Sequence, residues 1–236
     1  MTTEKFLMGR GRDRLSNEDR ALIEDSISEV RVIAGRQLMA RSGEPIDTST
    51  LLLEGFACSY RYEKSGARQV VGIHIPGDFI DLGGFITKRN DHDVYTIGRA
   101  KYATFEHRIL TKINESSERM SKILWLSTLS ESVVNREWIF RLGLLSAEGR
   151  IANLICELYV RLAMVGLVQG GGFHLPLTQP DLGEATGLTG VHINRVLRSL
   201  RERNLLEIRN FHVQVFDYEQ LAKLGEFDSQ HLRILA

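Results

Sequence analysis

Apolar and polar positions follow different periods along this chain, and each period predicts a different kind of element. A short amphipathic segment comes first. Ser16 sits where a helix N-cap would, Asp19 follows three residues later, and Leu22, Ile23 and Ile27 form its apolar side. From Val30 to Phe105 the pattern becomes short apolar runs between turn residues. Gly35 precedes Arg36-Gln37-Leu38-Met39, Ser42-Gly43-Glu44-Pro45 breaks the chain, and Leu51-Leu52-Leu53 stops at Glu54-Gly55. Ala57 to Tyr62 alternates toward Lys64-Ser65-Gly66. Val71, Ile73 and Ile75 alternate with Val70, Gly72 and His74 up to Pro76-Gly77-Asp78. Pro followed by Gly suits the centre of a type II turn, because Pro presets φ and Gly accepts a positive one. Many short strands at near-regular spacing predict a sandwich or barrel of jelly-roll type.

Residues 109–145 read differently. The stretch has no proline and its one glycine, Gly143, comes late. Ile113, Met120, Ser127 and Val134 recur every seven residues, as do Ser117, Leu124, Glu131 and Trp138. This predicts one long helix whose stripe is apolar at the ends and polar in the middle. Such a stripe calls for a partner, and a second copy of the chain is the simplest one.

After Ser146 a further helix carries Ile151, Leu154, Ile155, Leu158 and Leu162 on one side, and Gly170-Gly171-Gly172 ends that region. The informative stretch follows. Thr178 is a good N-cap, Pro180 suits a first helical turn, and Asp181 complements the dipole there. Leu182 and Ala185 are apolar, and Gly187 supplies the positive φ that ends a helix in a tight turn. Thr189 then caps a second helix in which Ile193, Leu197 and Leu200 form a buried stripe. Val191, Arg195, Arg198 and Glu202 stand opposite, flanked by His192, Asn194 and Ser199. Helix, glycine turn, helix with a basic outer face is the helix-turn-helix pattern. Leu206-Glu207-Ile208 and Phe211 to Val215 then alternate around Arg209-Asn210, a hairpin that would serve as a wing with Arg209 at its tip.

Composition narrows the partners. The chain has 236 residues, 43% apolar and 25% charged, with 30 basic against 30 acidic side chains. With no global positive charge, an interaction with DNA has to rest on local charge. Between Leu188 and His212 five arginines (195, 198, 201, 203 and 209) face two glutamates, 202 and 207. Arginine grips guanine O6/N7 in bidentate fashion, asparagine does the same to adenine, and clustered arginines suit phosphates. There is no run of the roughly 20 apolar residues a bilayer span needs, and residues 1–11 lack a signal-peptide core. Cys58 and Cys156 lie far apart in apolar surroundings. Buried thiols of a cytoplasmic protein are expected.

These residues resemble the CRP/FNR superfamily, named for the cyclic-AMP receptor protein and the fumarate-nitrate reduction regulator. The resemblance covers nearly the whole chain in order. It rests on Gly35-Arg36-Gln37-Leu38, Glu54-Gly55, Pro76-Gly77-Asp78-Phe79-Ile80, Ser146 to Ala152, Leu177 to Gly183 and Ile193-Asn194-Arg195-Val196-Leu197. It implies an α+β fold: an N-terminal double-stranded β-helix (a jelly-roll like the cyclic-nucleotide-binding domain) over 15–108, a dimerisation helix over 109–145, a winged helix-turn-helix over 146–220 and a C-terminal tail over 221–236. It also implies a homodimer on a palindromic operator of double-stranded DNA, and contact with RNA polymerase. Carried over by position, Thr178 and Gln179 would touch phosphate and Arg195 would be the recognition arginine. Thr189, Val191, His192, Asn194, Arg198 and Arg209 complete the expected DNA-binding set. Val191 stands where relatives often carry an acidic residue and Asn194 where they carry a small one, which implies a different operator.

The sensing region departs further. Cyclic-nucleotide-binding members need a Gly-Glu pair and an Arg-Ser pair, whereas this chain reads Asp81-Leu82-Gly83-Gly84-Phe85 and Asn90 to Tyr95. No arginine stands where a cyclic phosphate would need one. An iron–sulfur cluster needs about four cysteine ligands, and His74 and His92 match a haem site poorly. No cofactor is therefore expected. A small-molecule effector, with Gly83, Gly84, Tyr95, Ser127 and Thr128 as its pocket, remains an expectation. Two other readings compete. A cupin-like metalloenzyme would need clustered His and Glu ligands, and no His-x-His pair exists. A small-ligand-binding module without DNA binding would leave the outward arginines idle.

Overall fold

The structure is a computed structural model that describes residues 1–116 and 118–233. Ser117, one of the expected heptad positions, and the last three residues of the expected tail lie outside the described residues. The chain forms two compact units, one of residues 1–61 and 72–133, the other of residues 62–71 and 134–233.

The first unit begins earlier than the sequence suggests. Phe6 and Leu7 are fully buried, and Phe6 meets Phe79 edge-to-face at 5.4 Å. Thr2 and Thr3 donate to the Glu24 carboxylate, and Arg10 pairs with Asp78 at 2.7 Å. Helix α1 (Asn17–Asp25) carries the expected capping box of Ser16 and Asp19. The roll consists of β1 (Glu29–Ile33), β2 (Leu38–Ala40), β3 (Thr48–Tyr62), β4 (Arg68–His74) and β5 (Asp93–Glu106), in the order β1-β5-β3-β4 with β2 also on β5. Strands β3 and β5 are long and bent rather than short. The apparent stop at Glu54-Gly55 is a pair of register shifts against β5. Gly55 takes φ +85°, and a Cβ there would lie 2.4 Å from the Arg99 carbonyl, so only glycine lets the strand bend through without breaking. Pro76-Gly77 is a turn as expected, with Gly77 at φ +98° and Asp78 N–H donating to Ile75 O at 3.1 Å. A one-turn helix, α2 (Gly84–Thr87), precedes β5.

The expected long helix is described as α3 (His107–Ser116) and α4 (Glu118–Leu144), on either side of Ser117. The apolar positions expected at the dimer seam largely face their own chain. Ile113, Met120, Leu124 and Trp138 are buried, and Ile123 joins them. A different set is left exposed on α4: Trp125 (63%), Leu129, Ile139 (73%) and Leu144. Residues 125, 129, 132, 136, 139 and 143 form an alternating four- and three-residue stripe, the spacing of a helix-pairing seam.

In the second unit α5 (Ala147–Met164) is capped by Ser146 and buried almost all round. Around it pack α6 (Gln179–Thr186), α7 (Gly190–Glu202) and α8 (Tyr218–Leu224), with a sheet of β6 (Gly172–His174), β7 (Leu206–Arg209) and β8 (His212–Val215) in the order β6-β8-β7. The wing is thus three-stranded, its third strand supplied by the glycine run. The expected tail from 221 starts inside α8, whose Leu221 is buried, and Leu232 is buried beyond it. Asn153 Nδ2 donates to Gly225 O at 2.9 Å, fixing α8 to α5. Both cysteines are free and buried, one in each unit, and burial pushes the Cys156 thiol up to about 12.

Candidate nucleic-acid interface

Sequence chemistry places α6 and α7 in their relation. Thr178 accepts from Asp181 N–H, and the Asp181 carboxylate accepts from the Thr178 N–H (2.8 Å) and hydroxyl (2.6 Å), a complete capping box. The turn closes on Gly187 at φ +66°, with Leu188 N–H returning to Gly183 O at 3.0 Å. A Cβ at Gly183 would lie 2.6 Å from the Leu188 carbonyl, which is what brings the two helices close. Thr189 then caps α7 through His192 N–H. Ile193, Val196 and Leu200 are buried, while Leu197, expected in the stripe, is only partly so. Val196 takes the place the sequence reading gave Leu197.

The other face of α7 is open. Val191 is 80% exposed, and His192, Asn194, Arg195 and Arg198 are exposed with it. Asn194 Nδ2 donates back to Gly190 O at 3.1 Å, and Thr189 Oγ1 lies 3.1 Å from His192 Nδ1. Most arginines of the cluster are engaged. Arg198 pairs with Glu202 (2.8 Å), Arg203 with Glu148 (2.9 Å) and Arg209 with Glu207 (2.9 Å). Arg195 and Arg201 have no ion pair among the described residues. An exposed guanidinium in the middle of a protruding helix face, with its five donors uncommitted, is chemically suited to a bidentate acceptor.

A family profile described as Crp-like helix-turn-helix domain matches residues 149–224, which covers all of this motif and the wing. The transcriptional activator protein FnrL of Cereibacter sphaeroides is 27% identical over 92% of this chain and 88% of its own. The chain carries a Crp-like helix-turn-helix domain and is similar over most of its length to transcription regulators of the CRP/FNR family. Electron transport regulator A of Shewanella oneidensis is 23% identical, over 86% of this chain and 81% of its own length. Among solved structures, FixK2 from Bradyrhizobium japonicum superposes with a TM-score of 0.77 at 21% identity, covering 85% of this chain and 98% of that one. These are regulators, not enzymes, and they support DNA binding over a ligand module without it.

Other parts of the regulator's interface were not legible in the sequence. The hairpin loop is Asn210-Phe211, not Arg209-Asn210, because Arg209 still pairs with His212 in the sheet. Arg68, 116 residues away, pairs with Glu184 at 2.9 Å and approaches Asp181 at 3.6 Å, and Gln69 donates to the Glu184 carbonyl, so α6 is held from a second side. Glu148 accepts from Ser199 (2.6 Å) as well as Arg203, fixing the inner edge of α7. The Thr178 hydroxyl is spent on its own cap, which leaves exposed Gln179 as the freer side chain at the start of α6.

The expected effector residues differ in their surroundings. A Cβ at Gly84 would lie 2.2 Å from Ile46 Cδ1, so that space is already filled; Gly83 is exposed at the α2 N-cap. Tyr95 packs edge-to-face on Tyr60, Ser127 is half-buried, and Thr128 is exposed with its hydroxyl 3.4 Å from Leu124 O. Asp81 is buried and accepts from Thr50 N–H at 2.6 Å. Burial raises its pKa to about 7. Ser59 Oγ lies 2.7 Å from His74 Nε2, and His92 Nδ1 pairs with Asp91 at 2.6 Å. The two cysteines, both fully buried, do not make the four-thiolate set of an iron–sulfur cluster. No group of three or more His, Cys, Asp or Glu suited to a metal occurs among the described residues, and no helix among them is long and apolar enough to cross a membrane.

Proposed function

We propose that this regulator works in the cytoplasm as a homodimer on a two-fold-symmetric operator, with α7 of each protomer in a major groove. In this reading Arg195 reads a guanine. His192 and Asn194 read or exclude neighbouring bases, and Val191 makes apolar contact with a thymine methyl. Gln179, Thr189, Arg198 and Arg209 position the backbone, and Thr178 acts through its N–H and its cap. The observation that carries the reading is Arg195, exposed and without an ion pair on a helix whose opposite side is buried. Dimer formation is supported by the exposed heptad stripe of α4, since large apolar side chains at that spacing favour a second helix. Two recognition helices of a dimer would then meet half-sites about 34 Å apart. RNA polymerase is the expected protein partner, on the model of an activator such as FnrL. The filled space at Gly84 favours regulation without a cyclic nucleotide, and any effector would be a small molecule read near Gly83, Tyr95, Ser127 and Thr128.

Selection of duplexes from a random library by the purified protein tests this. The expected result is an inverted repeat with half-site centres one helical turn apart, bound by a complex with the mass of two chains. Failure to enrich any duplex at low salt, where the electrostatic part of binding is largest, would overturn it.

A further inference from the structure

The tip of the wing carries an unusual residue. Arg209 and His212 are paired across β7 and β8, so Asn210 and Phe211 are the two central residues of the hairpin turn. Both take left-handed conformations, with φ of 51° and 60°. A turn of this kind favours Asn followed by Gly. Asn210 fits. Phe211 does not, because a bulky side chain is strained at positive φ. The β3–β4 turn gives its positive-φ position to Gly66 (φ 90°), whereas Phe211 is one of several non-glycine residues of the chain in this region, with Leu7, Arg36 and Lys88 among the others.

The Phe211 ring is 47% exposed, so it is not a core side chain. What the backbone there does is structural. The Phe211 carbonyl accepts from Leu175 N–H at 2.7 Å, which ties the tip to the segment entering α6, three residues before the Thr178 cap. Any residue would supply that carbonyl. The tip backbone is therefore tied to the strand-to-helix segment that leads into α6.

The charge around it points the same way. Arg209, the cation nearest in sequence, is paired with Glu207 on its own strand. Glycine or lysine would be the natural tip for a phosphate contact. An exposed aromatic ring at a strained position instead matches the apolar surfaces of a duplex: deoxyribose faces along the minor groove, and base faces at a step that opens easily. Apolar wedges at minor-groove contacts act this way, and pyrimidine–purine steps are the easiest to open.

We infer that Phe211 is a DNA-contacting residue. Its ring packs on the minor-groove edge flanking each half-site and favours a flexible step there. This inference rests on the proposal that the helix-turn-helix binds an operator. The test uses the full-length protein, duplexes it selects itself, and the variants Phe211→Gly, Phe211→Tyr and Arg209→Ala. Phe211→Gly is expected to weaken binding about 10-fold, the scale of one aromatic contact to a base. It should lose preference for a flanking pyrimidine–purine step, while its thermal midpoint is unchanged or higher because the turn is relieved. Its salt dependence should match the wild type, because an apolar contact releases no counterions. Phe211→Tyr is expected to bind like the wild type. Arg209→Ala serves as the electrostatic control, and any affinity it loses is expected to come with a shallower salt slope. Unchanged affinity in Phe211→Gly overturns the inference and leaves the ring to a protein partner. So does a loss accompanied by a shallower salt slope or by a fall in thermal midpoint. If the wild type selects no duplex, the operator reading itself has failed and this inference falls with it.

Discussion

The second unit is pinned by a buried charge cluster whose worth can be measured. Glu157 accepts from Trp138 Nε1 (3.0 Å), from Arg161 Nη1 (2.7 Å) and from Arg141 Nη2, while Arg141 Nε donates to Asn153 Oδ1 at 2.8 Å. Glu157 and Arg141 are wholly buried and Arg161 nearly so. Burial opposes the Glu157 charge, but Arg141 and Arg161 outweigh it and hold the carboxyl below the usual range. Glu157→Gln keeps the shape and removes the one anion between two buried cations. Breaking a buried pair from one side costs about 3–5 kcal/mol, because the remaining charge is uncompensated. With a urea m value of about 1–3 kcal/mol/M, a loss in that range moves the midpoint by at least about 1 M. Arg141→Met should cost less. It leaves Glu157 paired with Arg161 and removes Arg141 Nη1, a buried donor without a partner among the described residues. Because the folded carboxyl is depressed, its contribution is present above the unfolded value of about 4.3 and is lost as pH falls through the folded one. The wild type should therefore lose stability below about pH 4 where the Gln variant does not. Urea unfolding followed by tryptophan fluorescence in a Trp125→Phe background, where Trp138 reports on the cluster, together with far-UV circular dichroism, measures all of this. A Glu157→Gln loss under about 1 kcal/mol, or one smaller than that of Arg141→Met, would refute the electrostatic account.

Other consequences can be checked separately. Asp81 titrates near 7 in the fold against about 3.9 unfolded, so burial begins to cost stability above pH 4 and costs it fully, about 4 kcal/mol, above pH 7. Asp81→Asn should flatten that decline and raise the first unit's denaturation midpoint at pH 8; a parallel pH profile would refute it. Arg195→Ala should weaken the selected operator by about 10- to 100-fold and relax preference at one base pair in each half-site. Arg201→Ala should weaken all duplexes alike and reduce the salt slope by about 0.9. Titrations at several salt concentrations separate the two, and equal loss of preference in both would defeat the assignment. Ile139→Glu should turn the dimer into a monomer in sedimentation without lowering helicity, and a persisting dimer would remove α4 from the interface.

Local chemistry was legible where it depends on neighbours in sequence. The boxes of Ser16/Asp19 and Thr178/Asp181, the Pro76-Gly77 turn and the Gly187 turn all formed as the residue types require. Strand length was not legible, because Gly55 looks like a terminator. It acts as a bend only because Arg99 and Ala100 lie behind it, and they are more than forty residues away. The inward face of α4 was hidden for a related reason. That helix carries two apolar stripes, and a seven-residue repeat does not say which one the chain covers itself. Met120, Leu124 and Trp138 go inward, and Trp125, Leu129 and Ile139 stay outside. The buried set of Asn153, Glu157 and Arg161 on α5 was hidden among residues that are polar one by one. Its only trace was the three- and four-residue spacing of Trp138 with Arg141 and of Glu157 with Arg161.

The neutral net charge deserves a physical reading of its own, because a count of arginines overstates what α7 and the wing offer to DNA. Arg198, Arg203 and Arg209 must each give up a carboxylate before they neutralise a phosphate. Non-specific binding should therefore be weak for a chain with 30 basic residues, and what affinity it has should come from the few groups without partners. Arg195 reads a base and Phe211 is apolar, so of these three Arg201 is the one that adds a phosphate contact to the salt slope. A regulator built this way leans on fit to its operator more than on attraction to the duplex. Its ratio of specific to non-specific binding should accordingly change little with salt, while a protein that relied on its full arginine cluster would lose general affinity steeply.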